Sequence, residues 1–515
     1  MSLSRRSLLG MGAAGVATAG LSLALPRRLD ASDRKRPKNV IFCVADGMAI
    51  QTMSMADHFQ KMTTGRPSYW RTLMNEEFAH TGLQETRSLN SLVTDSSAAS
   101  SAWGSGRHIW NGQVNEFPDG TKLRTLVSLL TEAKVRCGVV TTTTVTHATP
   151  AGFAVNCTQR DLEGLIAERY LESGLDVLMG GGDKFFNPKV RKDGRDVYAD
   201  FAKAGYTVVR TRHELLEQPG RRLLGVFSDG HTPFSVDRNN DPLLQMSVPS
   251  LAEMASAAID RLKSGSNGFL LQIEGGRVDH GGHGNDLAAL VYDQIAFEEA
   301  VKVAVDFALS NGETLVVITT DHACGGPSLN GAGHEYGDSA AGLRTLTGMK
   351  ASYAEVWRAV GTPVTADKVR AGVKDKLGIE LTTAEAEAVA QAAAAKSPFG
   401  IQEFYRSQGA TLAMVLGNHS KVTWTSGNHT SEHCLVTAVG PWSERFFGLH
   451  ANTAYFDWML EAWDLKWTNP TMSYEEAVPF YDKLKEKLPP ELIFLYADED
   501  ECGCGSDHSP WLASG

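Results

Sequence analysis

Short apolar runs, each closed by a polar turn, recur along most of this chain. They predict strands at Asn39–Ala45, Cys137–Thr143, Asp176–Met179, Leu223–Ser228, Phe269–Ile273, Thr314–Thr319 and Cys434–Val439. The stretches between them predict helices at Leu126–Lys134, Leu162–Ser173, Ser250–Lys263 and Leu287–Leu309. A strand that is apolar throughout, rather than alternating, is covered on both faces. The expected fold is therefore α/β, a large, doubly wound, mostly parallel sheet with helices on both faces. Polar residues gather just past the strand ends, where open sheets of this kind place their ligands.

Two regions depart from that rhythm. From about Gly325 to Lys421 the chain is Ala-rich and helical in patches, notably Thr382–Lys396, and is expected to form a helical insertion or cap. The tail from Asp498 turns acidic and then Gly- and Cys-rich, with Cys502 and Cys504, and is expected to be flexible. Residues 37–497 are thus expected to be one domain carrying the insertion.

At the amino end, Ser4-Arg5-Arg6-Ser7-Leu8-Leu9 is a twin-arginine pattern. A weakly hydrophobic, Gly- and Ala-rich run from Leu8 to Leu25 follows, and then a basic stretch that includes Arg27, Arg28 and Arg34. That order suits an export signal rather than a stable membrane span. Residues 1–30 are expected to be signal and linker, and the mature protein periplasmic or extracellular, with no stable membrane span after signal removal.

Composition narrows the partners. With 42% hydrophobic and 21% charged residues the chain is neither disordered nor a polytopic membrane protein. A net charge of −11 offers no basic excess for tracking a nucleic acid. Seven cysteines are too few, and odd in number, for a disulfide framework.

Four blocks carry candidate chemistry. Asp46-Gly47 directly follows the first predicted strand. Thr94-Asp95-Ser96-Ser97-Ala98-Ala99-Ser100-Ser101-Ala102-Trp103 is built of small residues that permit close backbone approach. A serine at a helix amino end meets amides that favour an anion. Glu274-Gly275-Gly276-Arg277-Val278-Asp279-His280-Gly281-Gly282-His283 places two carboxylates and two imidazoles after a strand. Asp279 and His283, four apart, can reach one ion from one helical turn. Thr314–Thr320 ends in Asp321-His322, and His429 adds a further imidazole.

In this order, from about Lys38 to Gly448, the blocks resemble the alkaline phosphatase family. Leu223–His231 and Pro249–Met254 are also similar to it. The resemblance implies a phosphomonoesterase that uses two Zn2+ and one Mg2+ and acts on small phosphomonoesters. It implies that Ser96 is the phosphorylated nucleophile. Asp46, Asp321 and His322 would hold the zinc that activates it, and Asp279, His283 and His429 the second zinc. Asp46, Thr149 and Glu274 would hold the magnesium, and Arg160 would clamp two phosphate oxygens. His147 and His280 stand where some bacterial relatives carry Asp and Lys and the animal type carries His. A histidine at 147 implies a weaker magnesium site and an activity that responds to added magnesium. Homodimers are common in the family.

Other readings compete with this one. Phosphodiesterases of the same superfamily typically use Thr and lack an Arg160-type clamp. The Cys/Ser-x-Pro-x-Arg context of sulfatases is absent around Ser96. His429-Thr430-Ser431-Glu432-His433 fits the H-x-x-E-H pattern of a zinc metalloprotease, which needs a helix there. Cys43 reads as a buried strand residue. Cys324, two past His322, is open to two readings, a packed thiol or a residue behind the site.

Overall fold

The computed structural model describes residues 35–394 and 408–485. The expected export signal, the tail from Asp498 with Cys502 and Cys504, and the last two positions of the helix expected over Thr382–Lys396 lie outside the described residues.

Ten strands form one sheet: β1 (Asn39–Val44), β2 (Ala79–Glu85), β3 (Arg136–Thr144), β4 (Val177–Gly181), β5 (Thr207–Val209), β6 (Leu223–Val226), β7 (Phe269–Glu274), β8 (Thr314–Thr319), β13 (Cys434–Val439) and β14 (Gly448–Ala451). Two short ribbons pair β9 (Ala323–Cys324) with β12 (His429–Thr430) and β10 (Ser328–Leu329) with β11 (Val422–Thr423). The sheet order is β14-β2-β13-β8-β1-β7-β3-β4-β6-β5. Only β13 runs against its neighbours. All seven predicted strands are present, with ends moved by at most two residues.

The apolar runs read as they do because both sheet faces are covered. Ile41 and Cys43 enter one apolar layer, and Val40, Phe42 and Val44 the other. Helices Ile50–Thr64, Leu251–Leu262 and Leu287–Asn311 pack the first face. Helices Leu126–Glu132, Glu163–Ser173 and Ala454–Glu461 pack the second. Each fully buried Leu, Val or Phe in these layers contributes about 1.5–3 kcal/mol. Strands β2, β5 and β14 escape an apolar-run search. Ala79-His80-Thr81-Gly82-Leu83-Gln84-Glu85 is only half-buried along most of its length and mostly polar.

Between β9 and β12 the described chain forms helices Ser339–Arg344, Tyr353–Val360, Ala366–Leu377, Thr383–Ala394 and Gln408–Ser420. Its ends are clipped together by β10 and β11. Leu343, Tyr353, Val373 and Leu416 join the first apolar layer, and Asp237 accepts a hydrogen bond from the Ser352 amide at 2.7 Å. From Arg36 onward the described residues are therefore one compact unit. Among the described residues no helix is long and apolar enough to cross a membrane.

Candidate metal centre and nucleophile

Register brings three acidic residues to the same end of the sheet. Val44 of β1 lies opposite Glu274 of β7 on one side and Thr319 of β8 on the other. Two residues further on, the chain reaches Asp46 and Asp321. Gly47 makes the turn at φ +68°, and its bare Cα allows the close approach, because a Cβ there would lie 2.3 Å from Asp279 Oδ1. The turn also orients the next strand's ligand, as the Gly47 amide donates to Asp321 Oδ1 at 3.1 Å.

Past the strand ends three groups of ligand-type side chains gather: Asp46, Asp321 and His322; Asp279, His283, His429 and Cys324; and Asp46, His147 and Glu274. Within each group the candidate ligand atoms all lie within 4.8 Å of one another. The first two groups adjoin, since the His322 and His429 rings stack at 3.6 Å. Thr149 Oγ1 donates to Asp46 Oδ2 at 3.2 Å, which places Thr149 beside the third group.

Carbonyls set the imidazoles. His283 Nδ1 lies 2.5 Å from Gly427 O, and His429 Nδ1 lies 2.9 Å from Thr94 O. Each Nδ1–H therefore donates to a carbonyl, which leaves each Nε2 as the acceptor or ligand nitrogen. Those two Nε2 atoms lie 3.0 Å apart. Asp279 Oδ2 is 3.2 Å from the first, and Asp279 Oδ1 is 3.6 Å from the second.

The carboxylates respond in opposite ways to the same burial. Burial pushes Asp46 well above its usual range, and repulsion from Asp321, Asp279 and Glu274 pushes it further. Burial, aided by Asp321, raises Glu274 to about 7 against hydrogen bonds from Thr141 and others. Burial would also raise Asp279, but His283, His429 and His322 outweigh it and hold that carboxyl below its ordinary range. Asp321 is likewise lowered, with His322 overcoming burial.

Ser96 opens helix Ser96–Ser105, and its Oγ lies 3.2 Å from His322 Nε2. Asp95 caps that helix by accepting from the Ala98 amide, and also pairs with Arg160 Nη1 at 3.1 Å. Arg160 Nη2 donates to His147 Nε2 at 3.1 Å. The small residues serve helix contact. A Cβ on Gly104 would meet Gly152 O at 1.9 Å, and one on Gly152 would meet Ser100 Oγ at 2.4 Å. Helix Ala148–Ala154, which carries Thr149, is thereby pressed against the serine helix.

The catalytic and metal-ligating candidates implied by the resemblance gather here. His280 stands one step outward, with Nδ1 accepting from Arg277 Nη1 at 2.7 Å and its pKa pushed well down by burial and by His231 and Arg277. Sequence reasoning assigned no role to two supports. His231 lies 4.4 Å from the His280 ring and accepts from the Thr144 amide through Nδ1. Gln84 donates to Thr320 O at 2.7 Å and accepts from Trp103 Nε1 at 3.1 Å, which ties the Asp321 turn to the serine helix. A glutamine in a polar, half-buried strand carries no local signal of such a role. The metalloprotease reading falls on geometry, because His429–Thr430 is a strand, residues 431–433 are not helical, and His433 is exposed.

The donor set fits metal ions. Asp46 Oδ1 and Glu274 Oε1 are buried polar atoms without a hydrogen-bond partner. Such an atom costs free energy until a cation or donor meets it. An open α/β sheet with buried Asp/Glu/His groups and a serine at its strand ends defines a metal-dependent hydrolase.

The chain belongs to the alkaline phosphatase family, whose model matches residues 37–465. It is 32% identical over 429 residues to alkaline phosphatase 3 of Bacillus subtilis (strain 168), covering 81% of this chain and 87% of that one. Repressible alkaline phosphatase of Saccharomyces cerevisiae is 36% identical over 321 residues, 56% of each chain. The crystal structure of Thermus thermophilus alkaline phosphatase superposes with a TM-score of 0.83 at 38% identity, covering 87% of this chain and 96% of that one.

Proposed function

We propose that this phosphatase hydrolyses small phosphate monoesters through a phosphoserine on Ser96. Asp46, Asp321 and His322 would hold one Zn2+, Asp279, His283 and His429 a second, and Asp46, Thr149 and Glu274 one Mg2+. The observation that carries the reading is the position of Ser96 Oγ, 3.2 Å from His322 Nε2 at the amino end of a helix whose cap residue pairs with Arg160. When bound, the ions supply positive charge and lower the pKa of a nearby hydroxyl or water.

The chain's own residues do the rest. Asp95 and His147 hold the plane of the Arg160 guanidinium, a fork matched to two phosphate oxygens. Ser96 Oγ attacks phosphorus, the ester P–O bond breaks, and the alcohol leaves. Water then attacks the phosphoserine, the P–Oγ bond breaks, and phosphate leaves with net retention at phosphorus. Positioning and charge neutralisation carry most of such a transfer. The amino-terminal twin-arginine pattern supports export, with hydrolysis outside the cytoplasm.

The test compares initial rates on an aryl phosphomonoester and its matched diester, with zinc and magnesium supplied. A large monoester preference is expected, and Arg160→Ala should lose monoester rate more than diester rate. A diester preference in the parent would move the protein to the phosphodiesterase reading. Ser96→Ala should yield no labelled phosphoenzyme, and label retained in that variant would refute the nucleophile.

A further inference from the structure

Cys324 follows the metal-type pair Asp321-His322 and lies on the two-residue strand β9. Its Cα partner across the antiparallel ribbon is His429 of β12. Directly opposed residues of an antiparallel pair present their side chains on the same face. The thiol and the His429 imidazole therefore leave the ribbon together. They meet Asp279 and His283, one turn apart on helix Arg277–His283.

Between those two sits Gly282, which makes the approach possible. A Cβ there would lie 2.9 Å from Cys324 Cβ and 3.1 Å from Sγ. The outcome is a four-member group in which Cys324 Sγ stands with one donor atom each from Asp279, His283 and His429, all within 4.8 Å. A tetrahedral zinc with bonds of about 2.0–2.3 Å draws such atoms to roughly 3.3–3.8 Å, a contraction small side-chain rotations supply. Cys43, Cys137, Cys157 and Cys434 are also buried free thiols, yet among the described residues none joins a ligand group.

We propose that Cys324 is a fourth protein ligand, through its thiolate, of the ion held by Asp279, His283 and His429. The proposal rests on the metal reading under Proposed function and adds a ligand to it. An Asp/His/His/Cys set is softer than one of Asp and His alone, and soft thiolate donors favour zinc, and cadmium still more, over magnesium or manganese. Zinc expands to five-coordination, so four protein ligands do not close the site.

Cobalt(II) spectroscopy tests this independently of turnover. The full-length protein, carrying C502S and C504S so that the tail contributes no thiols, is stripped with a chelator and reloaded with cobalt. The parent should show visible d–d bands together with a near-ultraviolet sulfur-to-cobalt charge-transfer band. Cys324→Ser should keep the d–d bands and lose the charge-transfer band. It should also bind one zinc about 10–100-fold more weakly, as expected when a contact in or beside a metal's ligand shell is lost. A parent with d–d bands but no charge-transfer band would overturn the thiolate ligand and leave the metal reading standing. A charge-transfer band that survives Cys324→Ser would belong to another cysteine and would also overturn it. A parent that takes up no cobalt would overturn both readings. If Cys324→Ser fails to fold, Cys324→Ala gives the same comparison.

Discussion

The acids at the two ends of the metal centre are equally buried and electrically opposite. At one end Asp279 sits among His283, His429 and His322, which hold it ionised. At the other, Asp46 and Glu274 share the interior with Asp321, and both are pushed toward the protonated form. Burial alone therefore does not set the charge of a buried acid, because its neighbours decide whether that cost is met within the protein. The imidazole-rich end meets its own cost. The carboxylate-rich end is under repulsion until cations arrive.

The largest expected effect comes from the residue that belongs to two of the three groups. Asp46→Asn should lower hydrolysis by about a thousandfold or more, since losing one preorganised charge-stabilising group already costs ~10²–10³. Metal analysis sharpens the contrast. Asp46→Asn should lose more than one ion per chain, whereas Asp279→Asn should lose one. Equal losses would break the picture of Asp46 as shared.

A smaller effect is expected where the two chemistries mix. His147 brings an imidazole to the carboxylate-rich group, and its Nε2 already accepts from Arg160. The parent should respond to added magnesium, and His147→Asp should tighten magnesium about tenfold and abolish that response. A parent indifferent to magnesium removal and restoration would count against a weak third site.

The smallest effect is a slope. In metal-free protein Glu274 has a folded pKa of about 7 against an ordinary 4.5, so the folded state binds a proton that the unfolded state releases. That contribution favours folding below about pH 4.5 and is lost as pH rises through about 7. Its full size is on the order of 3 kcal/mol. The Tm of stripped protein should fall over this window, and Glu274→Gln should reduce the slope, with Asp286 and Asp293, also raised to about 7 by burial, supplying the remainder. A parent slope unchanged by Glu274→Gln would remove Glu274 as its source.

Much of this was legible in the chain. β1, β3, β7, β8 and β13 announce themselves because strands covered on both faces must be apolar throughout. Asp46, Asp321 and His322 follow such strands within two or three residues, and Asp279 and His283 share a helical turn. β2 was silent because half-buried alternation with Gly and His resembles a loop. Gln84 within it was silent because a buried amide is defined by its partners, here Thr320 O and Trp103 Nε1. Cys324 could be read either way, since its neighbours His429 and Gly282 are distant in sequence or carry no side chain.

By itself the sequence determined the period of each element, the apolar cover of the sheet and the residue types delivered to its ligand edge, because these depend on contacts a few residues apart. Only the tertiary structure decided which side chains share an ion-sized space. His429 reaches Asp279 because the long segment between β9 and β12 closes on itself and returns the chain to the same ribbon. Asp95 meets Arg160 across 65 residues. The carbonyls of Thr94 and Gly427 choose which imidazole nitrogens face inward. Such distances follow from the closing of whole segments against the common core, which no local pattern encodes.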